Sequence, residues 1–91
     1  LLIDVRTAEE FAAGHIQGAI NIDYYSADFS KQIGKIGKEK PILLYCRSGN
    51  RSARSMNIMY KMGFVEVKHL ACGIKGWKAE NRKIIQSQNE N

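Results

Sequence analysis

Pro41 is followed by the apolar run Ile42-Leu43-Leu44-Tyr45, which ends at Cys46, and an amphipathic helical pattern opens at Ser52. A short continuous apolar run bounded by a proline and a polar turn reads as a strand buried on both faces of a sheet. Residues 47–51 alone separate that strand from the helix. The chain must therefore curl back over the strand's own end before the helix begins. Strand, tight turn and helix make half of a βαβ unit, and the rest of the chain repeats the alternation.

Residues 1–5 form a second apolar run, and Thr7-Ala8-Glu9-Glu10 has the spacing of a capping box, so a short helix follows and stops at Gly14. Residues 19–22 read as another short strand. A helix through Phe29 and Ile33, capped by Ser26 or Asp28, frays over residues 34–37. Over residues 52–62, Ala53, Met56, Met59 and Tyr60 fall on one helical face, and Gly63 supplies a left-handed stop. Residues 65–70 alternate as a half-buried or edge strand; Cys72-Gly73 turns, and residues 74–82 form a last helix presenting Trp77. These elements predict an α/β fold of three layers, a mainly parallel sheet flanked by helices and joined by right-handed crossovers. Residues 1–85 make one domain, and residues 86–91 read as a polar, frayed tail.

Ninety-one residues leave room for a single core. With 44% apolar and 25% charged residues the composition is that of an ordinary globular chain, and no apolar run is long enough to cross a bilayer. The net charge of +5 is spread out, with Lys31, Lys35, Lys38 and Lys40 as its densest stretch. That balance favours small anions over nucleic acid, which calls for a denser basic stripe. Cys46 and Cys72 match no zinc spacing, so neither a metal nor another cofactor is expected. The chain opens inside a strand pattern at Leu1 without an initiator Met, and is expected to be a piece of a longer sequence.

The chemistry concentrates in Cys46-Arg47-Ser48-Gly49-Asn50-Arg51. In open α/β sheets ligands bind beyond the carboxyl ends of the strands, which is where Cys46 falls. A turn this short is expected to aim successive backbone N–H groups at the cysteine sulfur, as an anion-binding nest. The next helix directs its positive end to the same point. With the guanidinium groups of Arg47 and Arg51 added, a thiol of pKa ~8.5 is expected to fall into the activated range of ~3.5–7.5. Gly49 provides the residue free to take a positive φ. Ser48 and Ser52 are candidate hydroxyl donors, and Ser52 is also a candidate N-cap.

Asp4-Val5-Arg6, Glu10-Phe11, Gly14-His15-Ile16-Gln17-Gly18-Ala19, Asn21-Ile22, the loop from Cys46 to Ser52, Gly63-Phe64 and the stretch from Gly73 to Trp77 follow one another along the chain. In that order they resemble the signatures of a single-domain rhodanese, or thiosulfate sulfurtransferase. The resemblance covers almost the whole chain. It implies a five-stranded, mainly parallel sheet, with an element missing before Leu1. It also implies ping-pong sulfur transfer through a Cys46 persulfide, with thiosulfate or another sulfane donor, and with cyanide, a thiol or a sulfur-accepting protein as acceptor. A non-catalytic sulfur-relay or protein-binding module remains an alternative. A cysteine phosphatase or arsenate reductase fits less well, because those related sites place five residues between Cys and Arg, whereas Arg47, Ser48, Gly49 and Asn50 are the four here.

Two departures from the family pattern stand out. Gln17 replaces the usual proline, and Cys72 replaces the first glycine of a Gly-Gly pair. Cys72 is read first as a small buried filler, and second as a resolving thiol for Cys46. Asp4 and Arg6 are expected to tie the loops above the sheet. An ionised thiol needs no general base, so His15 is assigned structural support, beside Glu10 or bonded to backbone. Phe64 and Trp77 are expected in the core or the pocket wall.

Overall fold

The computed structural model describes residues 1–86; the segment 87–91 of the expected frayed tail lies outside the described residues. Four strands, β1 (Leu2–Asp4), β2 (Ile20–Asn21), β3 (Ile42–Tyr45) and β4 (Val67–His69), form one sheet in the order β2-β1-β3-β4. Every pairing is parallel, with Ile3 opposite Ile20 and Leu44, and Leu44 opposite His69. The resemblance implied five strands; the described residues form four. Helices α1 (Ala8–Ala13), α2 (Phe29–Gly34), α3 (Asn50–Lys61) and α4 (Gly73–Ala79) complete the alternation read from the sequence.

The strand period of two sorts the apolar residues onto two faces. Ile3, Val5, Ile42, Leu44 and Val67 share one core with Phe29 and Ile33 of α2 and Met59 of α3. Tyr45 points the other way, into a second cluster with Ile16 and Ile74, joined by Trp77. Both faces of the sheet are therefore covered, which accounts for unbroken apolar runs in place of alternation. Phe64 lies in the first core and Trp77 at the margin of the second, where its indole N–H donates to the Lys83 carbonyl at 2.9 Å.

The capping box of α1 forms as expected: the Thr7 hydroxyl accepts the Glu10 N–H, and the Glu10 carboxylate accepts the Thr7 N–H. Helix α2 takes Asp28 as its N-cap, but without a side-chain bond; the Ser26 hydroxyl accepts the Asp28 N–H instead. Helix α3 starts at Asn50, two residues before the expected Ser52, because Gly49 occupies the N-cap at φ 102°. Its inner stripe runs through the buried Ser52, Ser55 and Met59. Tyr60, expected on that face, is 46% exposed, since its hydroxyl reaches out to donate to the Val67 carbonyl. Helix α4 ends at Ala79, short of the expected Arg82.

Tyr45 is fully buried, and its hydroxyl accepts the Ile16 N–H at 3.0 Å while meeting the Asp4 carboxylate. Burial, with Asp4 adding to it, pushes this phenol above its ordinary pKa, so it stays protonated and donates. Tyr45→Phe leaves a buried amide without its acceptor and is expected to cost about 1–3 kcal/mol of stability, read as a lower urea midpoint at unchanged m-value.

Candidate active site

Cys46 follows the last residue of β3 directly, and β3 lies inside the sheet between β1 and β4. Its side chain is 1% exposed. The sulfur accepts the Gly49 N–H at 3.1 Å and the Ser52 N–H at 3.4 Å, with the Ser52 hydroxyl 3.6 Å away. Ser52 is the third residue of α3, so the sulfur takes the capping-acceptor role that no side chain fills at this helix start. Burial pushes the thiol pKa up, but the donors outweigh it: the Ser52 N–H and hydroxyl, then the N–H groups of Gly49 and Ser48, bring it below the ordinary value.

The peptide planes are held from behind. The second and third N–H groups of α4 donate to the loop's carbonyls, Ile74 to Cys46 at 2.9 Å and Lys75 to Arg47 at 3.0 Å. A peptide C=O and the N–H across the same bond point in opposite directions, so fixing the Arg47 carbonyl on α4 turns the Ser48 N–H toward the sulfur. Gly73, at φ 62°, permits this approach: a Cβ there would overlap the Arg47 carbonyl group. On Gly49 a Cβ would meet the Ala71 carbonyl oxygen.

The arginines divide. Arg51 does not bond the sulfur; it forms a two-point ion pair with Glu10, Nη1 to Oε1 at 2.8 Å and Nη2 to Oε2 at 3.1 Å, and acts on Cys46 only through its charge. Its guanidinium also lies over the Tyr25 ring at 5.6 Å. Arg47 points into an open cleft of about 470 Å³, lined also by Arg6, Glu10, Ile74, Lys75 and Lys78. Cys46 does not line this cleft; its neighbour Arg47 does. Arg6 and Glu10 are engaged in ion pairs, and the other cations of the cleft lining are Arg47, Lys75 and Lys78.

Of the other predicted site residues, Ser48 contributes its N–H and Asn50 opens α3. Asp4 and Arg6 form a buried ion pair, Nη2 to Oδ2 at 2.7 Å, and Arg6 also donates to the Gly14 carbonyl. Asn21 donates to the Asp4 and Arg6 carbonyls, clamping the end of β1. His15 stacks on Phe11 at 3.7 Å, with Nδ1 2.8 Å from the Phe11 carbonyl, the backbone-bonded placement of the two expected. Cys72, the N-cap of α4, is exposed, contrary to the buried filler expected. Two residues with no assigned part in the sequence reading reach the site. Glu10 is legible in the sequence as a helix cap and part of a family signature, and His69 as a strand residue, yet Glu10 holds Arg51 and His69 Nδ1 lies 2.9 Å from the Ser52 hydroxyl.

Residues 1–80 match the family described as rhodanese-like domain, and the chain belongs to that family. It is 40% identical over 76 residues to the uncharacterised protein YqhL of Bacillus subtilis, in a match covering 84% of this chain and 59% of that one. A chloroplastic thiosulfate sulfurtransferase of Arabidopsis thaliana is 35% identical, over 82% of this chain and 71% of its own. The crystal structure of a rhodanese-like domain from Anabaena sp. superposes with a TM-score of 0.85 at 23% identity, covering 99% of this chain and 95% of the other. The chain thus spans less than two thirds of its Bacillus relative. No helix among the described residues is long and apolar enough to cross a membrane.

Two expectations test the loop's support. Gly73→Ala drives the α4 turn off the Arg47 carbonyl and is expected to destabilise by about 2 kcal/mol or more and to raise the Cys46 pKa, read from the pH dependence of its alkylation. Arg51 first, with Thr7, lowers the Glu10 pKa from 4.5 to about 2. A depressed carboxylate contributes stability that is complete above its unfolded value and lost as pH falls through the folded one. Glu10→Gln is therefore expected to have a lower urea midpoint than the parent above pH 4.5, and the gap to close as pH falls toward about 2.

Proposed function

We propose that this chain is a sulfurtransferase that carries sulfane sulfur as a persulfide on Cys46, taking it from thiosulfate or a related anionic donor. The observation that carries this reading is the convergence of the Gly49 and Ser52 N–H groups and the Ser52 hydroxyl on one buried sulfur. A lowered thiol pKa supplies the nucleophile without a general base. The thiolate attacks the outer sulfur of thiosulfate; the new S–S bond forms as the bond to the sulfonate sulfur breaks, and sulfite leaves with the electron pair. The terminal persulfide sulfur is then attacked by cyanide or a thiolate, and the S–S pair returns to Cys46 as the thiolate.

The persulfide bears the same single negative charge as the thiolate, so one set of donors serves both states. Arg47, Lys75 and Lys78 give the adjoining cleft a positive lining suited to a dianionic donor. The four-residue spacing between Cys46 and Arg51 supports sulfur over a phosphate ester as the group held. Exposed Cys72 is a candidate second thiol, one that could receive sulfur from Cys46.

Thiosulfate treatment followed by peptide mass spectrometry is expected to find added sulfur on the Cys46 peptide. Cys46→Ser is expected to abolish thiocyanate formation from thiosulfate and cyanide while keeping the parent circular dichroism spectrum. Turnover retained by Cys46→Ser, or aryl phosphate hydrolysis exceeding sulfur transfer in the parent, overturns the proposal. Sulfur found also on the Cys72 peptide assigns the second thiol its role, and its absence removes Cys72 from the pathway.

A further inference from the structure

Ser52 is fully buried, and its hydroxyl has three acceptors in reach: the Cys46 sulfur at 3.6 Å, the Gly49 carbonyl at 3.2 Å and His69 Nδ1 at 2.9 Å. A hydroxyl has one proton to give. The Gly49 carbonyl already accepts the Ala53 N–H at 3.0 Å, so it is satisfied without Ser52. The contest is between the sulfur and the imidazole. His69 is brought there by sheet register: it ends β4 opposite Leu44, and Cys46 lies two residues further along β3's path.

We propose that His69 is a positioning residue for the Cys46 sulfur, holding a proton on Nδ1 and donating it to the Ser52 oxygen, so that the Ser52 hydroxyl donates to the sulfur. The inference rests on the reading of Cys46 as an anionic sulfur. Hydrogen bonds to an ionised acceptor are roughly twice as strong as neutral ones, so a thiolate claims the Ser52 proton ahead of an imidazole lone pair. The Ser52 oxygen then faces Nδ1 with a lone pair, and 2.9 Å between them is a hydrogen bond only if Nδ1 carries the hydrogen. The relation works in both directions. A protonated Nδ1 cannot accept from Ser52, and donation into the oxygen strengthens what Ser52 gives to the sulfur.

The charged groups around this chain of bonds are few. Arg51, on α3, acts on Cys46 by charge and is itself paired with Glu10 of the Thr7–Glu10 cap. From α4, the contacts to the loop are the backbone N–H groups of Ile74 and Lys75. Among the described residues, His69 is therefore the side chain that sets which way the Ser52 proton points.

The test reads the imidazole and the thiol separately, on the intact chain and without sulfur transfer. Nitrogen-15 NMR of the neutral His69 ring is expected to show Nδ1 protonated; a ring with its proton on Nε2 overturns the proposal, and this needs no variant. The Cys46 pKa is then measured from the pH dependence of iodoacetamide alkylation, followed on the Cys46 peptide. His69→Leu is expected to raise it by about half a unit to one unit, and His69→Asn, whose amide can donate from the Nδ1 position, to stay near the parent. In a Ser52→Ala background the His69→Leu shift is expected to vanish. A fall in pKa in His69→Leu, no change, or an equal rise without the Ser52 hydroxyl each overturns the proposal. Because no readout depends on turnover, failure of the proposed sulfurtransferase activity would be seen apart from failure of this relay.

Discussion

The structure turns on two hydrogen bonds, from the Ile74 and Lys75 N–H groups in the first turn of α4 to the carbonyls of Cys46 and Arg47. Without them the loop's peptide planes could rotate, and the N–H groups facing the sulfur would lose their common direction. The bonds form because the Ala71-Cys72-Gly73 turn packs backbone to backbone against Arg47, Ser48 and Gly49, with glycine at both points of closest approach. The helix that begins at Gly73 thus orients a site whose ligating groups belong to the β3–α3 connection and the first turn of α3. The arrangement separates two tasks, since α3 and the loop supply the donors while α4 keeps them aimed.

The same economy appears on the other side of the loop. Glu10 completes the capping box of α1 and, with the same carboxylate, holds both terminal nitrogens of Arg51. Arg51 is thereby fixed at a distance from the sulfur, where its charge favours the anion without bonding it. Had Arg51 reached the thiol directly, it would have competed with the backbone donors for the lone pairs. Asp4 and Arg6 play the corresponding part at the end of β1, where a buried ion pair is satisfied on both sides by backbone, Tyr45 and the Gly14 carbonyl. Removing one member of such a pair strands the other in a low-dielectric interior, so these residues constrain the sheet's functional edge more than they strengthen it.

Much of this was legible in the sequence because it was written locally. The capping box at Thr7 and Glu10, the strand ending at Cys46 and the need for a positive φ at Gly49 are properties of neighbouring residues, and each is found in the structure. What was not legible depends on distant parts of the chain meeting. The partner of Arg51 is forty-one positions away, and His69 reaches Ser52 only through the register of β4 on β3. The misplacement of the α3 start has the same origin: Ser52 has the chemistry of an N-cap, but the Cys46 sulfur already accepts its N–H and Gly49 supplies the turn. A residue standing in place of a turn glycine reads as a space-filler, whereas Cys72 lies exposed at the N-cap of α4.

A thiol at 1% exposure whose pKa nevertheless lies below its ordinary value poses an energetic question that the geometry answers. Taking an ion out of water costs several kcal/mol even after relaxation of the surroundings. Each hydrogen bond to a charged acceptor returns on the order of 1.5–3 kcal/mol, so several donors converging on one sulfur can outweigh its burial. Ser48, Gly49 and Ser52 provide them from consecutive turns of backbone, plus one hydroxyl. Backbone donors carry no side-chain entropy cost once the fold is made, and they bring no full charge that a second anion would have to compete with. Arg47, Lys75 and Lys78 line the open cleft beside the loop, while the groups bonded to the buried sulfur are dipoles and Arg51 acts on it by charge from a distance. Concentrating those cations on the sulfur instead would lower the thiol's pKa further and weaken it as a nucleophile, since nucleophilicity falls with basicity.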